Sequence, residues 1–172
     1  NGCTATGSIT LVESAPPLSA SISSSSDVSC NGGANGSATA SASGGSTPYT
    51  YAWSNGANGA TASGLSAGSY SVTVTDNDGT TATTSVTISE PSAVSVSTST
   101  TNASNGGSDG SATASASGGT PGYTYSWNNG GSGATISGLA PGTYTVTATD
   151  ANGCAATASA VVNEDPPSGG CT

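Results

Sequence analysis

The sequence predicts an all-β protein made of tandem antiparallel β-sandwich modules. Three observations carry that expectation. Charged residues are only 5% of the 172, with no Lys, Arg or His, while Ser, Thr and Gly abound, so helix propensity is poor throughout. Displacing the chain by 74 positions superimposes residues 36–79 on 110–153 with 29 of 44 identities, beginning with GSATASASGG in both copies. Within each copy, apolar and hydroxyl side chains alternate with period two between Gly/Asn turns.

Taken in order, the first copy offers strands at 18–24, 37–43, 49–54, 60–63, 69–75 and 80–89. In the second of these Ala38, Ala40 and Ala42 share one face and Ser and Thr the other. In the third, Tyr49, Tyr51 and Trp53 alternate, and they recur as Tyr123, Tyr125 and Trp127. All eight aromatic residues belong to the repeated set, so they read as core pegs, with Trp53 and Trp127 burying much of a core otherwise thin in large apolar residues. Leu65-x-x-Gly68-x-Tyr70 and Leu139-x-x-Gly142-x-Tyr144 have the spacing of a tyrosine corner, where a strand passes between sheets and the Tyr hydroxyl bonds upstream backbone. Leu65, Tyr70, Leu139 and Tyr144 therefore join the two Trp residues as expected core, and the sandwiches are expected to be Ig-like. Asp76-Asn77-Asp78-Gly79 and Asp150-Ala151-Asn152-Gly153 read as hairpin turns into a last strand.

The missing cations exclude several functions. Without Lys or Arg the chain has no means of neutralising phosphates, and its net charge is -9, so neither nucleic acid nor an anionic membrane is an expected partner. Without His or Lys there is no imidazole base and no Schiff-base amine, so no enzyme activity is expected and no catalytic residue is assigned. No apolar run approaches the length of a membrane span. Four cysteines, Cys3, Cys30, Cys154 and Cys171, in so acidic and hydroxyl-rich a chain point to an oxidising, extracellular setting.

The expected module boundaries follow the repeat and its Pro-marked junctions. Residues 18–91 form repeat 1 and 92–166 repeat 2, with 167–172 a linker or the start of another module. Residues 1–17 read as the last strand of a preceding module plus linker, because Asn1-Gly2-Cys3 resembles Asn152-Gly153-Cys154. A strand donated to a neighbouring subunit is the competing reading of the same stretch.

Cys30-Asn31-Gly32, GSATASASGG, Tyr-Thr-Tyr-x-Trp-x-Asn-Gly, Gly-Leu-x-x-Gly-x-Tyr-x-Val-x-x-x-Asp and Asn-Gly-Cys together resemble the SprB repeat of Bacteroidota surface adhesins. The resemblance covers nearly the whole chain. It implies a secreted, cell-surface filament of many Ig-like repeats that serves attachment or gliding. The departures are Thr80, where the pattern has Cys, and Ser104, where the first copy has Cys30. In a sandwich of that kind the turn near Cys30 lies at the pole facing the next module and the hairpin near Cys154 at the pole facing the previous one. A Cys30–Cys154 bond would then staple adjacent modules, leaving Cys3 and Cys171 to neighbouring segments. The local pairs Cys3–Cys30 and Cys154–Cys171 remain open.

Three sharper readings stand beside bland ones. Asp76 and Asp78 are candidate Ca2+ ligands, but the other ligands are not evident, so a plain turn and no cofactor are expected. Tyr49, Tyr51, Tyr123 and Tyr125 would stack on surface polysaccharide if exposed, while core packing is the default. Asn35-Gly36-Ser37 and Asn102-Ala103-Ser104 are glycosylation sequons, against the simpler reading of a polar, uncharged surface. The function these readings converge on is a structural or adhesive segment whose partners are neighbouring modules or subunits of the same protein. The alternatives are a donor-strand filament subunit and a carbohydrate-binding module.

Overall fold

In the computed structural model the described residues are 3 and 15–167. Of the stretch 1–17, expected to end a preceding module, residues 1–2 and 4–14 lie outside the described residues, as does Cys171. Six strands form in each copy at equivalent positions. The first copy has β1 (Ser19–Ser26), β2 (Gly36–Ser43), β3 (Thr50–Trp53), β4 (Thr61–Leu65), β5 (Gly68–Thr75) and β6 (Thr81–Ile88). The second has β7 (Ser95–Thr101), β8 (Gly110–Ser117), β9 (Thr124–Trp127), β10 (Thr135–Leu139), β11 (Gly142–Thr149) and β12 (Ala155–Val162). Each expected strand is present, with ends moved by one or two residues.

The strands sort into sheets β1-β2-β4 and β3-β5-β6 in the first copy, and β7-β8-β10 and β9-β11-β12 in the second. The second and fifth strands of each copy are central, and the chain changes sheets after its second, third and fourth strands. This is the Ig arrangement with one edge strand absent. The registers of β7 with β8 and of β11 with β12 are antiparallel and unbroken, for example Thr98 opposite Ala114 and Val146 opposite Ala158.

Alternation decides what is buried. In β5, Val72 and Val74 are fully enclosed while Ser71 is exposed and Thr73 half-buried. Ala38 and Ala40 of β2 are buried as the period-two pattern predicts, and Ala42 is half-buried. Trp53 and Trp127 are 4% and 3% exposed, and each indole Nε1–H donates to a carbonyl six residues on, Gly59 O at 2.9 Å and Gly133 O at 3.0 Å. That bond satisfies the single polar atom that burying a Trp strands.

By compactness the described chain divides into two units. Residues 15–25, 37–63 and 69–87 make one, and 26–36, 64–68 and 88–167 the other. The first unit buries Ala38, Ala40, Trp53, Ala62, Val72 and Val74. The second buries Val28, Leu65 and Ile88, and a cluster centred on Trp127, Leu139, Val146 and Val162, against which Tyr125 and Tyr144 pack. Close approach explains the repeat's opening glycine. A Cβ on Gly36 would meet Ile88 Cγ2 at 2.7 Å and Leu65 O at 2.9 Å, and one on Gly110 would meet Val162 Cγ1 at 2.6 Å.

The tyrosine corner is present in the second copy, where Tyr144 Oη–H donates to Ala140 O at 2.9 Å. At the edge of the second copy, Thr98 and Thr100 of β7 donate their hydroxyls to Ser159 O and Val161 O of β12 at 2.9 and 3.0 Å. A parallel bridge between Ala103 and Glu164 continues the contact. These bonds occupy carbonyls that an open sheet edge would offer to another chain.

Candidate functional site

The residues with most chemical character gather at the turns. Asp76 and Asp150 stand at the same point of each repeat, immediately after β5 and β11, and are 7% and 5% exposed. A buried carboxylate normally finds a cation, but this chain has none. Backbone N–H groups serve instead. Asp150 Oδ1 accepts from Asn152 N at 2.9 Å and Cys154 N at 2.8 Å, while Oδ2 accepts from Thr120 N at 2.8 Å. Asp76 repeats this with Asp78 N at 3.0 Å, Thr80 N at 2.8 Å and Ser46 N at 3.1 Å. Each carboxylate thus shapes its own hairpin and ties it to the turn that follows the second strand.

That turn is Gly-Gly for a steric reason. Gly45 and Gly119 have φ of +57° and +58°, and a Cβ on either would lie 2.5 or 2.4 Å from an oxygen of the buried carboxylate. The Thr120 N–H chiefly, with those of Cys154, Asn152 and Gly153, holds the Asp150 carboxyl below the usual range despite its burial. At Asp76 burial pushes upward most strongly, yet the N–H groups of Ser46, Thr80, Asp78 and Gly79 together hold it low. Asp109 is also held low, by the backbone N–H and then the hydroxyl of Ser104.

The Asp76 and Asp150 carboxylates therefore face backbone N–H donors. Asp78, the other calcium candidate, accepts the Ser46 hydroxyl. Among the described residues no three Asp, Glu, His or Cys side chains cluster as a metal site.

The loop between β1 and β2 is the second element of the site. Val28 is buried and donates its N–H to Ser89 O at 2.9 Å. Ser29 N donates to Asn35 Oδ1 at 3.0 Å, and Asn35 Nδ2 returns a bond to Ser29 Oγ at 2.6 Å. Gly32 N donates to the Glu90 carboxylate at 2.6 Å. The counterpart loop uses Ala103 N to Asn163 O, Ser104 N to Asp109 Oδ1, and Gly106 N to Glu164 Oε1. From the buried anchor to the Asn or Asp acceptor the first loop spans Val28 to Asn35 and the second Ala103 to Asp109, so the first is one residue longer.

Cys30, carried by that longer loop, is bonded to Cys154 with a Cα–Cα separation of 5.7 Å. Both cysteines fall within the second compact unit. Of the connectivities left open by the sequence, the structure takes the pairing across 124 positions, not Cys3 with Cys30. Cys3 is exposed and in no disulfide among the described residues.

The tyrosines considered as a sugar platform are half-buried. Tyr49 Oη–H donates to Gly44 O at 2.6 Å, Tyr123 does the same to Gly118 O, and Tyr125 Oη accepts from Ala116 N at 3.2 Å. Both sequon asparagines are exposed, but their amides are engaged, Asn35 with Ser29 and Asn102 with Asp165 Oδ1 at 2.8 Å. Sequence reasoning missed Asp150 and Asp76 as buried anchors. The available signal was their identical place in both repeats, after a strand and before Gly.

Among the described residues no helix is long and apolar enough to cross a membrane. The SprB repeat family profile matches residues 22–58 and 97–132. No curated protein matches. Among solved structures the chain is similar to one concerned with Dscam isoform specificity, at TM-score 0.36 and 15% identity over 75% of this chain and 41% of that one. An amphioxus IgVJ-C2 molecule gives TM-score 0.34 and 15% identity over 69% of this chain and 90% of that one. The N-terminal eight Ig domains of DSCAM isoform 1.30.30 give TM-score 0.37 and 13% identity over 87% and 25%. The quoted motifs and the profile coincide at both places: two segments of this chain, 22–58 and 97–132, are similar to the SprB repeat.

Proposed function

We propose that the chain is a structural and adhesive segment of a long extracellular surface protein that serves attachment or gliding, with residues 18–91 and 92–166 as successive modules. The observation that carries this reading is the pair of segments similar to the SprB repeat, with a disulfide joining the two copies. Its support is otherwise physical. The turns are braced by buried carboxylates and backbone, which suits a load-bearing element. A hydroxyl-rich surface without cationic side chains, at net charge -9, favours solubility and repels other polyanions.

Immunogold labelling of intact cells with an antibody against this segment tests the reading, combined with denaturing, non-reducing electrophoresis of the labelled material. Surface filaments and one band far above 15.9 kDa are expected. Label confined to the cell interior overturns the proposal, and collapse to units near 15.9 kDa replaces the single long chain with noncovalent polymerisation.

A further inference from the structure

We infer that Asn152 is the specificity residue of the Cys30–Cys154 pairing. Its side-chain amide reads the Ser29 carbonyl and brings the two thiols together before they are oxidised. This inference does not rest on the proposed adhesive role, since it concerns only hydrogen bonding and thiol chemistry inside this chain.

The geometry is specific to one hairpin and one loop. Asn152 Nδ2 donates to Ser29 O at 3.1 Å and to Thr120 Oγ1 at 2.9 Å, so both amide hydrogens are placed. Cys154 Sγ lies 3.4 Å from the same Ser29 oxygen. The Asp150 carboxylate fixes the backbone N–H groups of both Asn152 and Cys154, so amide and sulfur leave the hairpin in a set relation. On the other side, Asn35 clamps Ser29 through its N–H and its hydroxyl, and the extra residue of this loop lies between Val28 and the Cys30 turn.

The other copy of each element lacks the complement. The first hairpin has the same carboxylate cradle, but Asp78 stands where the second has Asn152 and carries no amide donor, and Thr80 stands where Cys154 does. The second loop is one residue shorter, has Ser104 in place of Cys30, and its Ala103 carbonyl already accepts from Asp165 N at 2.8 Å. The first copy has Pro91 at that flank, which has no N–H to give. Of the loop and hairpin combinations among the described residues, one matches donor to acceptor and thiol to thiol.

The covalent step is ordinary exchange. With glutathione disulfide as oxidant, one protein thiolate attacks it and releases a glutathione thiolate. The second protein thiolate then attacks the mixed disulfide and releases another, so two electrons pass from the cysteines to the oxidant. The amide contact acts by raising the effective concentration of the second thiol at the first.

The test uses the full chain with Cys3→Ser and Cys171→Ser, equilibrated in glutathione buffers to give the effective concentration of Cys30 and Cys154. Asn152→Asp, which installs the residue the first hairpin already tolerates, is expected to lower that value about fivefold to tenfold, as loss of one hydrogen bond implies. Asn152→Ala is expected to do the same without adding charge. Thr120→Val removes only the amide's other partner and is expected to change the value less than twofold. Unfolding of each variant followed by Trp fluorescence shows that the fold is kept. An unchanged value in both Asn152 variants overturns the inference. So does an equal loss in Thr120→Val, which would make the hairpin's own shape responsible.

Discussion

Asp150 and Asp76 show what a chain without cations does with a carboxylate. All eight described acidic side chains accept hydrogen bonds, six of them from backbone N–H groups. Because the folded carboxyls of Asp76, Asp109 and Asp150 titrate below the ordinary range, near pH 4 unfolded, they stabilise the fold above about pH 4. That contribution disappears as pH falls through the folded values. Melting temperature should therefore be flat from about pH 5 to 8 and drop below about pH 4. Asp150→Asn should reduce the acid-dependent part, and a pH series of thermal melts on both proteins checks this. Trp127 illustrates the apolar counterpart. Its replacement by Ala should cost about 3–5 kcal/mol, read by denaturant unfolding, because a buried indole and its bond to Gly133 are both lost. Tyr144→Phe keeps the ring and removes only the corner bond, so about 1 kcal/mol is expected from the same measurement.

At the scale of elements, the Gly-Gly turn and the hairpin stabilise one another. Gly119→Ala combines a positive φ with a Cβ 2.4 Å from Asp150, so it should destabilise more than Gly130→Ala, whose Cβ meets nothing within 4 Å although its φ is +84°. Comparing the two variants separates the steric clash from the backbone strain common to both. The disulfide acts on a longer range. Closing a loop of 124 residues constrains the unfolded chain by at most about 5 kcal/mol, so Cys154→Ser should lower stability by no more than that. The strands themselves were legible, because period-two alternation and glycine turns are local signals. Their ends slipped by a residue or two where pairing across the sheet, not propensity, decides the last bond, as at Leu65 of β4.

For the whole molecule, charge sets behaviour. With -9 and no ion pairs between side chains to screen, added NaCl should raise the melting temperature, since salt only weakens repulsion. Trypsin should leave even the unfolded chain intact, because it contains no Lys or Arg. The sequence by itself determined the two copies, their six strands each, the aromatic pegs and the absence of cationic chemistry, all of which follow from composition, self-similarity and alternation. Tertiary structure alone decided which cysteines pair, since a disulfide needs Cα atoms about 6 Å apart and no local pattern states where two distant loops meet. It also decided that Asp76 and Asp150 anchor their hairpins, because their donors come from turns 30 residues earlier as well as from the hairpins themselves. The extra residue beside Cys30 gained meaning in the same way, once the carbonyl it exposes was seen against Asn152.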